Sequence, residues 1–231
     1  MAAQTIQLHL FDLDGTLTDS RAGLFGSFRA GLAAIGRPHY PDAALVRFLG
    51  TPLPIVFRTV RPEVTPPEIE LGIRAFRAHY DQIGIHGNCL YPDVREMLTS
   101  VRNAGRRVWI VTSKPEMHAI RVIGLLGIDA LVDGTVGAGL NETDTKTELV
   151  ARALSAAHVP AAEALMLGDR HYDMIGAREN NVEAVGALWG YGSKAELEQA
   201  GCRRFARTPD EFRLNYVGPA ATSPSRSVVL G

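Results

Sequence analysis

The most constraining feature of this chain is the run from Ile6 to Phe11 together with what closes it: two carboxylates, Asp12 and Asp14, spaced one residue apart, then Gly15-Thr16. A largely apolar segment of this length reads as a strand buried on both faces, and Gly15 can end it by adopting backbone angles that other residues avoid. Both acids then stand at the carboxyl end of a strand. In open α/β sheets that edge is where ligands bind. A lone Asp-x-Asp is equally at home as a polar turn, so its meaning depends on the rest of the chain.

After Ser20, Leu24, Phe28, Leu32 and Ile35 recur at helical spacing, with Asp19 or Ser20 as the N-cap and Gly36-Arg37-Pro38 as the stop. Short helices are expected over 42–48 and 54–60, broken by Gly50-Thr51-Pro52, and a longer one over 66–80 with Pro67 in its first turn. No strand is expected between Thr16 and Tyr91. About seventy residues of helix are too many for an ordinary connection, so this segment reads as a helical cap.

From Tyr91 on, helix and strand alternate. Strands are expected at Arg107–Val111, near Leu131-Val132, at Ala164–Gly168 and at Ala184–Leu188, and Thr145-Lys146-Thr147-Glu148 has the form of a capping box. Repeated βα units imply a parallel sheet with right-handed crossovers. The expected fold is therefore α/β, a doubly wound, Rossmann-like parallel sheet with an inserted all-helical cap. The core takes residues 1–17 and 91–217, the cap residues 18–90, and 218–231 form a flexible tail.

Such a sheet brings four polar strand ends to one edge: Asp12 with Asp14, Thr112, Lys146, and Asp169 with Asp173. Three converging carboxylates repel unless a hard divalent cation joins them, and Mg²⁺ suits an all-oxygen site. A phosphate could then be held by the ion, Lys146, the Thr112 hydroxyl and N–H groups of the turn after Asp12, with Asp12 in line for attack on phosphorus. Lys114 competes with Lys146 as the phosphate-facing cation, or is a solvated helix-start lysine. Asp173 could bind metal, support Asp169 or Lys146 from behind, or lie on a helix surface; the supporting position is favoured.

The chain resembles the haloacid dehalogenase superfamily of hydrolases, and within it the phosphoglycolate phosphatase-like group with a helical cap. Asp12-Leu13-Asp14-Gly15-Thr16-Leu17 matches the first motif, Val111-Thr112-Ser113 the second, Lys146 the third, and Gly168-Asp169-Arg170-His171-Tyr172-Asp173 the fourth. The resemblance runs from Phe11 to about Phe212. It departs at Thr147, where Pro often follows the lysine. It implies that Asp12 is transiently phosphorylated and that Asp14 protonates the leaving alcohol and later activates water. It also implies Mg²⁺ held by Asp12, the Asp14 carbonyl and Asp169. Thr112, Ser113, Lys146 and the cap loop at Gly50 and Thr51 would face the substrate. Arg21, Arg47 and Arg58 are candidates for gripping a carboxylate or second phosphate.

The expected activity is hydrolysis of a small phosphorylated metabolite, phosphoglycolate-like or a nucleotide. A sugar-phosphate mutase would need a paired acid and base in the cap, and a dehalogenase would have no use for Asp14. A non-enzymatic receiver would not need the full set of charge-stabilising groups. A net charge of -1 offers no basic stripe for nucleic acid. No segment has the length and apolarity of a membrane span, and Met1–Gln7 lacks the pattern of a secretory leader, so a cytoplasmic monomer or homodimer is expected. Cys89 and Cys202 have no metal-ligand spacing and read as buried thiols.

Overall fold

The computed structural model describes residues 5–140 and 143–217. The first four residues and the tail at 218–231, expected to be flexible, lie outside the described residues. The strand β1 (Leu8–Phe11) is buried at all four positions and pairs in parallel with β4 (Arg107–Pro115) on one side and β6 (Ala164–Gly168) on the other. With β5 (Gly134–Ala138), β7 (Glu183–Ala187) and β8 (Phe205–Ala206) they form one parallel sheet in the order β5-β4-β1-β6-β7-β8. After β1 the chain steps to β4 and β5; it then crosses back to β6 on the other side of β1. That reversal opens the crevice of a doubly wound sheet at the carboxyl end of β1.

Leu8 and Leu10 pack with Val111, Met166, Leu149 and Ala153, the last two on α7 (Lys146–Ala157). On the opposite face Phe11 packs edge-on against Phe212 of α10 (Pro209–Phe212), the ring centroids 5.9 Å apart. Both faces of β1 are thus covered, as the apolar run requires. The helices α5 (Val94–Asn103), α6 (Glu116–Leu125), α8 (His171–Glu179) and α9 (Lys194–Gln199) complete the α/β alternation.

Between β1 and β4 the chain forms α1 (Arg21–Ala34), α2 (Asp42–Leu45), α3 (Leu53–Val60) and α4 (Pro66–Gln82). Two expectations need correction here. The stretch from Thr16 to Tyr91 does contain strands: β2 (Thr18–Asp19) and β3 (Cys89–Leu90) pair antiparallel as a ribbon where the chain leaves and re-enters the sheet domain. Each is two residues long, too short to show a period in sequence, and Cys89 on this edge ribbon is exposed, whereas Cys202 is the buried thiol expected. The start of α1 is as expected from Asp19 and Ser20: Ser20 is the N-cap residue, its hydroxyl 3.0 Å from the Tyr191 hydroxyl, and Asp19 Oδ1 accepts from Arg21 N.

The strand expected near Leu131-Val132 is also displaced. Asp129–Leu131 is a single 3₁₀ turn, and pairing with β4 begins at Trp109 and Gly134. The apolar residues that suggested a strand pack beside the core, while the true strand carries two glycines and little apolar signal. The capping box at Thr145 forms as its sequence demands: Thr145 Oγ1 accepts from Glu148 N at 3.2 Å and Glu148 Oε2 accepts from Thr145 N at 2.7 Å.

Candidate active site

β1 delivers Asp12 to the sheet edge with its own N–H donated to Leu167 O at 3.0 Å. The turn after it closes on itself: Gly15 N donates to Thr18 O, and the N–H groups of Thr16, Leu17 and Thr18 donate to Leu13 O. These four donors are therefore engaged within the turn, which leaves fewer for an anion than the sequence suggested. Gly15 has φ +91, and a Cβ there would stand 2.3 Å from Asp169 Oδ2, so both conformation and space demand glycine.

Lys146, at the first position of α7, is 6% exposed and reaches back across the sheet edge. Its Nζ lies 2.8 Å from Asp12 Oδ1, 2.8 Å from Asp173 Oδ1 and 3.0 Å from Val111 O. Burial works to strip its proton, but Asp12 and Asp173 outweigh that and hold its pKa above the usual lysine range. The Asp12 pKa rises too, but here burial prevails: it lifts the value to about 6 against the pull of Lys146. Asp169, at the end of β6, accepts from Thr16 Oγ1 and from Tyr191 N, each at 2.8 Å. Burial, with Asp12 and Asp173 nearby, raises its pKa well above the carboxylate range.

Asp12, Asp169 and Asp173 are all buried and can each offer an oxygen within 4.8 Å of the others. Ionised, as they would be around a cation, the three carboxylates set against the ammonium of Lys146 would leave two negative charges in excess. That is the charge of one divalent cation, and an all-oxygen donor set suits Mg²⁺. Asp173 is thus a member of the carboxylate cluster as well as a partner of Lys146, and its Oδ2 also accepts from Arg170 N at 3.0 Å. The Asp14 carboxylate is not in that cluster. It pairs with Lys114 Nζ at 2.5 Å, so any part of Asp14 in holding a cation would fall to its main chain.

Lys114 corrects the picture of a solvated lysine: its side chain is 5% exposed, and its ammonium lies 5.0 Å from the centre of the Tyr80 ring on α4. Thr112, 1% exposed, accepts from Lys114 N at 3.2 Å through its hydroxyl. Thr112, Ser113, Gly50 and Thr51 all line one cavity with Asp12, Asp14 and Lys146; its volume is about 490 Å³. None of the three arginines singled out in sequence lines it. Arg21 pairs with Asp19, Arg47 lies over the Phe48 ring and donates to Tyr40 Oη, and Arg58 is exposed on α3.

Two other arginines line the cavity instead, Arg77 of α4 and Arg170. Arg170 donates to Leu49 O, beside the Gly50 turn, and to Glu196 Oε1 at 2.8 Å. It lies inside the fourth motif, one residue after Asp169, which was the available signal. Arg77 donates to Leu140 O and had no local signature. The segment from Trp189 to Gly192 is tied to the turn after Asp12 and to Asp169. Trp189 Nε1 donates to Thr16 O, Tyr191 Oη accepts from Ser20 N, and a Cβ on Gly190 would meet Asp169 Cβ at 2.3 Å and Gly15 O at 2.4 Å.

The chain is 33% identical over 210 residues to the tyrosine-protein kinase PtkA of Mycobacterium tuberculosis, covering 90% of this chain and 71% of that protein. It is 32% identical to a 5′-nucleotidase of Pseudomonas aeruginosa, covering 81% and 85%. A solved structure of a predicted phosphatase from Clostridium acetobutylicum superposes with a TM-score of 0.85 at 29% identity, over 90% of this chain and 97% of that one. Residues 9–187 match the family model for haloacid dehalogenase-like hydrolases, and with four motif segments gathered at one sheet edge the chain belongs to that family.

Proposed function

We propose that this protein is a Mg²⁺-dependent phosphatase acting on a small phosphorylated metabolite through an aspartyl-phosphate on Asp12. The observation that supports it most is the buried cluster of Asp12, Asp169 and Asp173, with Lys146 paired to the first and last, where Asp12, Asp173 and Lys146 line the cavity. Asp12, Asp169 and Asp173, with the Asp14 main chain, would hold Mg²⁺. When bound, the ion neutralises phosphate oxygens and the carboxylates facing them.

Ionised Asp12 offers one of its oxygens to bond phosphorus as the bond from phosphorus to the alcohol oxygen breaks. Lys146 fixes the other requirement, orientation, because its hydrogen bond to Asp12 Oδ1 holds the carboxylate in one rotamer. Asp14 gives the departing oxygen a proton and takes one back from the water that then displaces Asp12 from phosphorus. Asp14 Oδ2 faces Lys114 Nζ, so that contact must open for the acid to reach the departing oxygen. Thr112 and Ser113 contact phosphate oxygens, and α1–α4 act as the cap over the site.

Phosphate release should stop on exhaustive chelation and return with Mg²⁺, and Asp12→Asn should fold normally yet release no phosphate. Activity that survives chelation, or wild-type turnover by Asp12→Asn, refutes the mechanism. The mycobacterial relative supports one second reading, in which a tyrosine hydroxyl replaces water as acceptor of the phosphoryl group from Asp12. Incubation with ATP and a tyrosine peptide separates the two: phosphopeptide without free phosphate favours the transferase.

A further inference from the structure

The cap side of the cavity carries a continuous aromatic wall that the hydrolytic chemistry does not use. Phe28 of α1 packs edge-on against Phe76 of α4 with centroids 5.2 Å apart, and Phe76 stacks on Tyr80 at 6.2 Å with the planes 8° from parallel. Tyr80 in turn covers Lys114, the partner of Asp14. All three rings line the cavity, and the row begins beside the lysine that pairs with the acid. Phe48 and Leu53 extend it, and Ile55, 51% exposed, stands at the mouth.

We infer that the leaving group of the substrate is apolar and ring-bearing, an arylalkyl alcohol or its like, seated against Phe28, Phe76 and Tyr80. This rests on the phosphatase reading above. Among the described residues, the lysines that line the cavity and Arg170 already face carboxylates, Lys146 those of Asp12 and Asp173, Lys114 that of Asp14 and Arg170 that of Glu196, while Arg77 is held to the Leu140 carbonyl. A carboxylate pressed against the aromatic wall would lose water without gaining a cation. A two-carbon acid would also leave most of about 490 Å³ to water, whereas a ring fills the volume and stacks on rings already set edge-on and parallel. A nucleobase matches the stacking but brings polar edges to a wall of Phe and Leu.

The test compares phenethyl phosphate, ethyl phosphate, phosphoglycolate and a nucleoside 5′-monophosphate with the Mg²⁺-loaded wild-type protein, reading inorganic phosphate. All are alkyl esters, so leaving-group basicity does not decide the order. The expected result is a kcat/KM about ten- to a hundredfold higher for phenethyl phosphate than for ethyl phosphate, the gain from burying one ring. Ile55→Arg, at a half-exposed position that tolerates charge, should cut the ratio of phenethyl phosphate to phosphoglycolate at least tenfold while the circular dichroism spectrum stays unchanged. A flat series, or a preference for phosphoglycolate or the nucleotide, overturns this inference and leaves the phosphatase reading standing. No phosphate from any ester removes the phosphatase reading, and the inference with it.

Discussion

Replacing Lys146 with methionine keeps the length of the side chain and removes the one ammonium that faces Asp12 and Asp173 at 2.8 Å. All three side chains are at least nine-tenths buried, so solvent cannot take over. Breaking a buried pair from one side costs about 3–5 kcal/mol, because the charges left behind lose their partner. For a chain of this size each kcal/mol moves the melting temperature by about 2–4 °C, so Lys146→Met should melt about 6–20 °C below wild type at pH 8 in chelator. The deficit should shrink on acidification. Asp12 already has its pKa raised to about 6 by burial, and without Lys146 it rises further, so protons replace the missing charge as pH falls. Mg²⁺ should raise the variant's melting temperature more than the wild type's, since its carboxylates have no competing ammonium. Adding Asp173→Asn should recover part of the loss, a coupling that distant sites would not show. A change under about 2 °C at pH 8, or a deficit that grows toward pH 5, refutes the account of Lys146 as the structural counter-charge of this site.

Three further outcomes follow from particular residues. Asp14→Asn should lose kcat/KM steeply on alkyl phosphates and far less on an aryl phosphate with a stable leaving group; equal losses argue against Asp14 as the acid. His9 is fully buried between Phe11 and Phe212, and burial lowers its pKa from 6.5 to about 3. The unfolded chain takes up a proton below pH 6.5 that the folded one refuses, so stability should fall by about 2 kcal/mol from pH 6.5 to 5, and His9→Leu, followed by denaturant titration, should remove that part of the slope. Gly190→Ala places a methyl group against Asp169 Cβ and the Gly15 carbonyl, and should cost about 1–3 kcal/mol in thermal melts together with weaker Mg²⁺ binding by calorimetry; unchanged metal affinity would show that the loop does not set the position of Asp169.

Features carried by local chemistry were legible in the sequence. The apolar run into Asp12-x-Asp14-Gly15, the capping box at Thr145 and the strand Ala164–Gly168 each follow from spacing and residue type within a few positions. Chain order and the parallel rule were enough to bring Asp12, Lys146, Asp169 and Asp173 to one edge. What only the tertiary structure decided depends on which groups meet across long separations. The two-residue ribbon exists because its partners lie seventy residues apart and each half is too short to show a pattern. Lys114 is buried because Asp14, a hundred residues earlier, and Tyr80 of the insert cover it; nothing in Ser113-Lys114-Pro115 distinguishes it from a solvated lysine. Arg77 and Arg170, not Arg21, Arg47 or Arg58, line the cavity for the same reason. A side chain's partner is set by where helices and strands pack, and packing is a property of the whole chain that no local window contains.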